Sequence, residues 1–389
     1  MDALLEQIKQ ASSSLDRAAR RKAIDSLRKA ADSLEDPVDT VFRMGHLELE
    51  KAAVQLGYDL DTFSYLVKAQ GSKTTEEIAH HGKAEEQLMR RLLRYFASAN
   101  LVQEVGVDEW EANQVTRNLS NELTEAAILH YYGIVSQQSL DMPEFLKNNG
   151  YKTPSDDSNT IFHHSYKTKL SPFEWMAQTK NKEQLELFHK FMALRRQANL
   201  TWLTVYPVRQ EIGQSADLNP ERALYVNMGG SIGHQCAQFK EKYPDIPGRV
   251  ILQDLPEVVA QAMNTPGVEN MGHDFFNLQP VKGAKFYFMR GVSHNHPTHK
   301  VKLLFTNIRE AMAPDSVLLL DEIVLPPKDV DHVSSAMDLI MMGAFAAEER
   351  TEIQWRELAA SAGLKITNVY LYNPIENEAV MELRLAESV

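Results

Sequence analysis

The chain of 389 residues contains one cysteine, Cys236. A single cysteine forms neither an intrachain disulfide nor a cysteine-based metal site, and its scarcity is typical of a reducing compartment. No apolar signal-peptide core follows Met1, and no apolar run approaches the roughly 18 residues that a membrane span needs. We therefore expect a cytoplasmic protein without a membrane partner.

Positive charge is also scarce. There are 41 Lys and Arg against 53 Asp and Glu, which gives a formal net charge of −12. The basic runs are short, as in Arg20-Arg21-Lys22 and Arg90-Arg91. Because an acidic surface repels phosphate backbones, we predict no nucleic-acid partner.

The N-terminal third of the chain has helical periodicity. Hydrophobic residues make up 43% of the chain, and its length suggests two or three domains. Residues 74–79 begin like a capped helix, 85–98 form an amphipathic helix, and 101–105 and 109–112 look like short strands, an order that predicts a winged helix-turn-helix. Its second helix carries Glu85, Glu86 and Leu88 beside three arginines. That composition favours a packing or dimerisation module over a DNA reader.

The remainder of the chain changes from helical to mixed character. Residues 122–207 look helical, with an exposed polar loop at 148–159. From Pro220 onward, β-rich runs alternate with helical segments, which predicts an α/β domain with a mainly parallel sheet. The predicted strands are 223–226, 249–253, 285–289, 316–321, 366–371 and 379–385, and the last two are expected to pair as an antiparallel hairpin. Three domains are predicted. Residues 1–120 form a helical domain with the winged helix, and residues 121–215 form a helical linker that contributes to a substrate pocket. Residues 216–389 form the α/β domain.

A glycine-rich turn connects the first of these strands to a helix. It contains Gly229, Gly230, Ser231 and Gly233. Close backbone approach and a helix N-terminus make such a turn a cradle for a nucleotide or cofactor. Asp254 ends the next strand roughly 20 residues later, where a carboxylate can accept both ribose hydroxyls.

Three interpretations of this turn are open. A dinucleotide site requires G-x-G-x-x-G, which the spacing of Gly229, Ser231 and Gly233 does not supply. Residues 229–233 match G-x-S-x-G, the nucleophile turn of serine hydrolases, with Ser231 as nucleophile and His294 as base. In that fold several strands precede the turn, whereas the pattern of this chain before Pro220 is helical. The third is a site for S-adenosylmethionine.

The third interpretation is supported by a family resemblance. The segments that carry it are 225–233, 248–256, 273–276, 286–290 and 349–351. Together they resemble the fungal branch of the plant-type small-molecule O-methyltransferases, from about Asp36 to the C-terminus. The resemblance implies a class I methyltransferase domain with a Rossmann-like seven-stranded sheet. It also implies S-adenosylmethionine as cofactor and a preceding all-α domain with a winged helix that forms a homodimer.

The resemblance also assigns cofactor residues. Gly229, with Gly230 and Ser231, approaches the methionine part, and Asp254, with Leu255, holds the ribose. Further residues implied are Asp274 and Phe275, which frame the adenine, and Arg290, a basic residue near the cofactor. For Asp274 the alternative is a strand-end cap.

The most unusual short segment contains three histidines at H-x-H-x-x-H spacing. They are His294, His296 and His299. Imidazoles are common metal ligands, but no cysteine or carboxylate lies at ligand spacing. We therefore expect no metal, and we expect His296 and His299 on a solvated turn.

His294 falls on the family's catalytic histidine. Glu322 and Glu349 fall on its two supporting carboxylates, although each could instead be an ordinary ion-pair partner. Methyl transfer to oxygen needs a hydroxyl that loses its proton, and imidazole is a base suited to neutral pH. The resemblance thus implies that His294 is the base and that the carboxylates support it.

The chain departs from the family pattern in three places. Asn227 stands where the family usually has Asp, Ser231 where it has Gly, and Asn295-His296 where it has Asp-Trp. A fungal offshoot, the pericyclases of pyridone-alkaloid and related polyketide pathways, keeps the fold and cofactor but does not transfer methyl groups. The chain resembles that offshoot also at residues 33–44 and at His130. In such an enzyme His294 would donate a hydrogen bond to a substrate carbonyl.

Aromatic and thioether side chains are candidates for a substrate pocket, because they fit planar or irregular apolar molecules. The candidates, with His130, are Phe173, Trp175, Met176, Phe188, Met192, Met337 and Met341. Our leading hypothesis is an enzyme of fungal secondary metabolism that methylates a phenolic or enolic hydroxyl of a polyketide-like molecule. A cofactor-dependent pericyclase is the alternative. A winged-helix regulator with a degenerate domain is the third, which the acidic charge disfavours.

Overall fold

The computed structural model describes residues 7–8, 10–11, 14–195, 200–213 and 219–386. The chain divides into two compact units. We call Met1–Gln137 with Met176–Arg196 the N-terminal unit, and Gln138–Trp175 with Gln197–Val389 the C-terminal unit. The predicted linker, residues 121–215, is therefore shared between the two units.

Helices predominate before Gly213 except in the small wing, and strands alternate with helices from Ala223 onward, as the periodicity predicts. The α-helices are α1 Arg17–Asp32, α2 Pro37–Gly45, α3 Leu47–Asp59, α4 Thr62–Lys68, α5 Thr75–Gly82, α6 Glu86–Ser98, α7 Gln114–Leu119, α8 Glu122–His130, α9 Ser136–Asn148, α10 Ile161–Tyr166, α11 Pro172–Met176, α12 Lys182–Arg195, α13 Val208–Gly213, α14 His234–Lys242, α15 Pro256–Val259, α16 Thr298–Arg309, α17 His332–Phe345 and α18 Glu352–Ser361. A π-helical turn, Tyr131–Val135, joins α8 to α9, and 3₁₀ turns lie at Thr179–Asn181, Trp202–Thr204 and Ser293–Asn295. The strands are β1 Lys73–Thr74, β2 Gln103–Gly106, β3 Glu109–Glu111, β4 Ala223–Met228, β5 Arg249–Asp254, β6 Val268–Gly272, β7 Phe286–Arg290, β8 Val317–Leu325, β9 Arg350–Thr351, β10 Leu364–Asn373 and β11 Glu378–Leu385.

The N-terminal unit contains the predicted winged helix. Strands β1, β3 and β2 form a three-stranded sheet in that order, with antiparallel pairing. Thr74 and Glu77 cap α5 reciprocally, as the sequence predicts. The buried Trp110 of β3 donates its indole N–H to Thr75 Oγ1 at 2.9 Å, which fixes the wing against α5.

Arg90 of helix α6 makes its ion pairs within the N-terminal unit. Arg90 Nε donates to Asp108 Oδ1 of the wing at 3.0 Å, and Arg90 also pairs with Glu86 on its own helix. Its apolar face buries Met89, Leu93 and Phe96 in the core. These contacts agree with a packing role for α6.

The C-terminal unit is built on one large sheet with the order β10-β11-β8-β7-β4-β5-β6, and β9 pairs with β8. The pairs from β6 to β8 are parallel, whereas β11 pairs antiparallel with both β8 and β10. This confirms the α/β class, the predicted strands and the terminal hairpin. The sequence missed β6 and β9. Three of the five residues of β6 are exposed and two of them, Glu269 and Asn270, are polar, whereas β9 has only two residues, so neither strand leaves a hydrophobic run.

Two apolar layers enclose the central strands. All six residues of β4 are buried, as expected for a parallel strand covered on both faces. On one face Tyr225 stacks on Phe239 of α14, and Trp202 packs against Phe288 of β7. Trp355 of α18 is fully buried in the other layer. This arrangement fixes the carboxyl ends of β4, β5 and β7, where the candidate site lies.

In the part of the chain that the structure describes, no helix is long and apolar enough to cross a membrane.

Candidate active site

The glycine-rich turn leaves β4 in an unusual backbone conformation. Gly229, Ser231 and Gly233 have φ angles of +64°, +54° and +98°. A Cβ on Gly229 would lie 2.8 Å from Val292 Cγ2, so only glycine fits there. Ser231 adopts a left-handed conformation that costs a residue other than glycine about 1–2 kcal/mol. The turn is therefore held in a shape that brings the backbone close to whatever occupies the cleft.

The strained turn is connected to Asp254 at the end of β5. Ser231 N–H donates to Asp254 Oδ2 at 2.7 Å, and Leu255 N–H donates to Oδ1 at 2.8 Å. Burial raises the pKa of Asp254, whereas these two backbone bonds oppose the rise. The carboxylate is thus fixed before a ligand arrives, in the position where ribose hydroxyls are bound in folds of this type.

The predicted adenine residues lie beyond β6, beside a cluster of rings. Asp274 Oδ1 accepts the Phe276 N–H at 2.9 Å, which is the capping contact given above as its alternative role. Phe275 and Phe276 have centroids 4.9 Å apart, and the His296 ring packs edge-on against both, at 5.7 and 4.9 Å.

The expectation that His296 lies on a solvated turn was wrong. Burial, with a contribution from Lys300, lowers the pKa of His296 to about 4, so its imidazole is neutral near pH 7. His299 is exposed on α16, as expected. Within the described ranges, no group of three or more His, Cys, Asp or Glu side chains is arranged to hold a metal ion.

His294 and the two predicted carboxylates come together in the C-terminal unit. His294 Nδ1 lies 2.8 Å from Glu349 Oε1, and Glu349 is 3% exposed. Glu322 Oε1 accepts the N–H groups of Val292 and Ser293 at 3.2 and 2.7 Å. Glu349 therefore orients the imidazole, whereas Glu322 holds the turn that carries it.

The electrostatics of this group are those of a desolvated carboxylate pair. Burial raises the pKa of Glu322, His294 lowers it and Glu349 raises it further. The second oxygens, Glu322 Oε2 and Glu349 Oε2, are buried without a hydrogen-bond partner among the described residues. A cation formed on His294 would be stabilised here, because few water molecules screen it.

Sequence reasoning missed two residues that support this group. Asp338 Oδ1 on α17 accepts the Glu349 N–H at 2.8 Å. Arg350 Nη2 donates to His296 O at 3.3 Å and to Thr298 Oγ1 at 3.2 Å. Arg350 is 1% exposed and packs over the Trp355 ring. The segment 349–351 carries part of the family resemblance, but no sequence signal connects Asp338 to it.

The predicted substrate residues are divided equally between the two units. In the C-terminal unit, Phe173 stacks on Phe345 at 5.4 Å, and Trp175 packs against Phe162 and Tyr166. Met341 is buried and Met337 half-buried on α17. The other four, in the N-terminal unit, are His130, Met176, Phe188 and Met192.

His130 and Phe188 are brought together, with ring centroids 5.3 Å apart. His130 precedes the π-helical turn, a feature often found at functional sites. Burial lowers the pKa of His130 to about 4, and its Nδ1 has no hydrogen-bond partner in the described parts of the chain. It is therefore a neutral polar group in aromatic surroundings.

Comparisons with known proteins agree with this geometry. Residues 155–365 match the O-methyltransferase domain family. A protein of Aspergillus flavus named O-methyltransferase lepI is 36% identical over 378 residues, which cover 96% of each chain. The demethylsterigmatocystin 6-O-methyltransferase of Aspergillus parasiticus is 31% identical over 376 residues, covering 97% of this chain and 96% of that protein.

The chain belongs to the O-methyltransferase family. It is an enzyme of the fungal secondary-metabolism branch, with S-adenosylmethionine as its cofactor. The dinucleotide, serine-hydrolase and regulator interpretations are thereby excluded. The solved structure of LepI with S-adenosylmethionine covers 99% of this chain and 98% of its own, with a TM-score of 0.88 at 34% identity. A structure described as a pericyclic reaction enzyme aligns over the same shares with a TM-score of 0.88 at 35% identity.

The residues of this chain fit the cofactor. The turn at Gly229 leaves no room for a Cβ, Asp254 is fixed by two backbone bonds, and Phe275 lies with other rings beyond β6. A backbone cradle, a ribose acceptor and an aromatic end are the features that an adenosine cofactor needs.

Proposed function

We propose that this enzyme transfers a methyl group from S-adenosylmethionine to a phenolic or enolic hydroxyl of a polyketide-like molecule, with His294 as base. The observation that supports it best is the 2.8 Å contact between His294 Nδ1 and Glu349 Oε1. When Nδ1 carries the proton and donates a hydrogen bond to Glu349, Nε2 is the nitrogen that can accept the proton of the substrate. The pairing of a base with an orienting acceptor is the usual arrangement of a general base.

The roles of the residues follow from this arrangement. When bound, the cofactor supplies an electrophilic methyl group on a sulfonium centre. His294 takes the proton that the hydroxyl loses as its oxygen is methylated, and Glu349 stabilises the resulting imidazolium. Glu322 keeps the turn in place through two backbone bonds. Positioning of the hydroxyl supplies much of the rate, because it replaces a random encounter by a fixed geometry.

The acceptor is proposed to be largely apolar. Helix α17 carries Met337 and Met341, and Phe173 packs on Phe345 at the end of the same helix. Such side chains adapt to planar or irregular ring systems. With a formal net charge of −12, the chain also favours a neutral molecule over a polyanion.

The decisive experiment identifies the product. The purified enzyme is incubated with methyl-labelled S-adenosylmethionine and a panel of phenolic and enolic polyketides. We expect a labelled ether and one equivalent of S-adenosylhomocysteine per turnover. Conversion of an acceptor without label in the product and without S-adenosylhomocysteine would contradict methyl transfer.

A pericyclase is the second candidate, and His130 is the observation that favours it. Its neutral imidazole has a buried Nδ1 without a partner among the described residues, which suits a hydrogen bond to a substrate carbonyl. A structure with 35% identity to this chain is described as a pericyclic reaction enzyme. We expect that turnover of a quinone-methide or polyene with no loss of cofactor would identify this activity, and that His130→Ala would slow it.

We also propose that the enzyme is a homodimer formed through the N-terminal helices. Helices α1 and α2 bury no residue. Nevertheless Leu34, Val41 and Phe42 are 84%, 64% and 56% exposed. An apolar surface formed by α2 and the turn before it needs a partner, and short helices gain most of their stability from such packing.

Phe42→Asp is therefore expected to shift the enzyme from dimer to monomer. A charge at this position would be desolvated in the dimer and hydrated in the monomer. Sedimentation velocity over a range of concentrations measures the change. The matched control is Val107→Asp at the tip of the wing, where Val107 is 94% exposed. A wild-type enzyme that sediments as a monomer at all concentrations would contradict the proposal.

A further inference from the structure

Asp321 is a buried carboxyl group that the mechanism above does not use. It lies on β8, opposite Arg290 of β7 and Val380 of β11, and is 2% exposed. Because neighbouring residues of a strand point to opposite faces, Asp321 and Glu322 project from opposite faces of the sheet. Asp321 is thus separated from the His294 group by the strand itself.

Asp321 and Tyr372 hold the guanidinium of Arg290. Tyr372 O–H donates to Asp321 Oδ1 at 2.8 Å. Arg290 Nε lies 3.2 Å from Asp321 Oδ2, and Arg290 Nη2 donates to Tyr372 OH at 3.4 Å. The Arg290 side chain is 20% exposed. A buried carboxylate and a tyrosine therefore fix the guanidinium, while part of the side chain stays open at the end of β7.

The order of the strands shows which end of the cofactor reaches Arg290. The sheet runs β6-β5-β4-β7. In the proposed cofactor site, the adenine lies beyond β6 at Phe275 and the ribose at Asp254 of β5. The cofactor therefore extends from β6 across β5 to the turn at Gly229 after β4. Its amino-acid end points toward β7, whose last residue is Arg290.

We propose that Asp321 and Tyr372 are positioning residues of the cofactor site, which hold Arg290 where it binds the carboxylate of the cofactor's amino-acid end. The inference rests on the proposed orientation of the cofactor. Neither residue touches the cofactor, so both act through Arg290. A guanidinium whose side chain is already immobilised loses less entropy when it binds a carboxylate.

The charges around Asp321 give the proposal a measurable consequence. The charged or titratable groups on its own face are those of Arg290, Tyr372, Glu378 and Tyr225, and Glu322 acts on it from the opposite face of the sheet. Burial raises the pKa of Asp321 to about 7, Arg290 and Tyr372 lower it, and Glu378 and Glu322 raise it. A ligand carboxylate on Arg290 repels the Asp321 carboxylate and raises the pKa of Asp321 further. Near pH 7 the protein should then take up a proton when the ligand binds.

The test is the binding of S-adenosylhomocysteine, which requires no turnover. Titration calorimetry at pH 7 in buffers of different ionisation enthalpy measures the protons taken up. We expect uptake with S-adenosylhomocysteine and none with 5′-methylthioadenosine, which lacks the amino-acid carboxylate. Asp321→Asn should abolish the uptake. Tyr372→Phe should weaken the binding of S-adenosylhomocysteine by about threefold to tenfold, as expected for one lost hydrogen bond, and leave the binding of methylthioadenosine unchanged.

Arg249→Met is the matched control. Arg249 pairs with Glu269 at the surface of the same sheet, with side chains 39% and 47% exposed. The Arg249→Met substitution should change neither the affinity for S-adenosylhomocysteine nor the proton uptake. Equal uptake with both ligands, or uptake that persists in Asp321→Asn, would overturn the inference while the proposed function stands. Should Asp321→Asn not fold, the ligand selectivity of Tyr372→Phe decides alone, because a structural defect would weaken both ligands alike.

Discussion

Replacing His294 with alanine is expected to lower kcat for methyl transfer by about 10²–10⁴-fold, the usual contribution of a general base. Without the imidazole, the acceptor hydroxyl must attack the methyl group as a neutral, weaker nucleophile or lose its proton to water. The affinity for S-adenosylhomocysteine should change little, because His294 is not one of the predicted cofactor residues. Steady-state kinetics with the acceptor found in the product assay, together with calorimetry, measure both quantities.

His299→Ala is the matched control for this experiment. His299 belongs to the same H-x-H-x-x-H segment but is exposed on α16, so its removal should leave kcat unchanged. Glu349→Gln should lower kcat less than His294→Ala, since the imidazole remains but loses the charge that stabilises its protonated form. A His294→Ala enzyme with the wild-type rate would remove His294 from the mechanism.

Replacing Glu211 with alanine is expected to lower the melting temperature of the enzyme by about 6–20 °C. Glu211 on α13 accepts from Lys285 Nζ at 2.7 Å and from Arg384 Nη2 at 2.8 Å. Lys285 is 4% exposed, so the substitution leaves a buried ammonium whose one remaining hydrogen-bond acceptor among the described residues is the Asp315 carbonyl. Breaking a buried ion pair from one side costs about 3–5 kcal/mol, and each kcal/mol corresponds to about 2–4 °C.

The control is Asp245→Ala. Asp245 pairs with Arg209 of the same helix, but the two side chains are 62% and 57% exposed. Ion pairs exposed in this way contribute about 0–1 kcal/mol. Differential scanning calorimetry compares the two variants, and equal melting temperatures would show that burial does not decide the strength of the α13 contact.

The fold was largely predictable from the sequence because its signals are local. The capping box of Thr74 and Glu77, the buried run of β4 and the short connection before β11 each identify an element within a few residues. Strand β6 escaped prediction because the exposed polar residues Glu269 and Asn270 interrupt its apolar ones, and backbone pairing with β5 makes it a strand.

The candidate site was predictable only in part. His294, Glu322 and Glu349 were identified by resemblance, and the structure brings them together. Their division of labour was not predictable, because it depends on which donors lie nearest once β8, the turn after β7 and the segment before β9 have met. His296 was predicted to be solvated, since nothing in the sequence shows that Phe275 and Phe276 pack against it.

By itself, the sequence determined the α/β class, the winged helix, the family and its cofactor, because helical periodicity, capping residues and short motifs are properties of neighbouring residues. Only the tertiary structure decided that Asp338 supports Glu349 and that Asp321 and Tyr372 hold Arg290. These contacts join residues that are 11, 31 and 82 positions apart in the chain. A hydrogen bond depends on distance in space, and folding alone sets that distance.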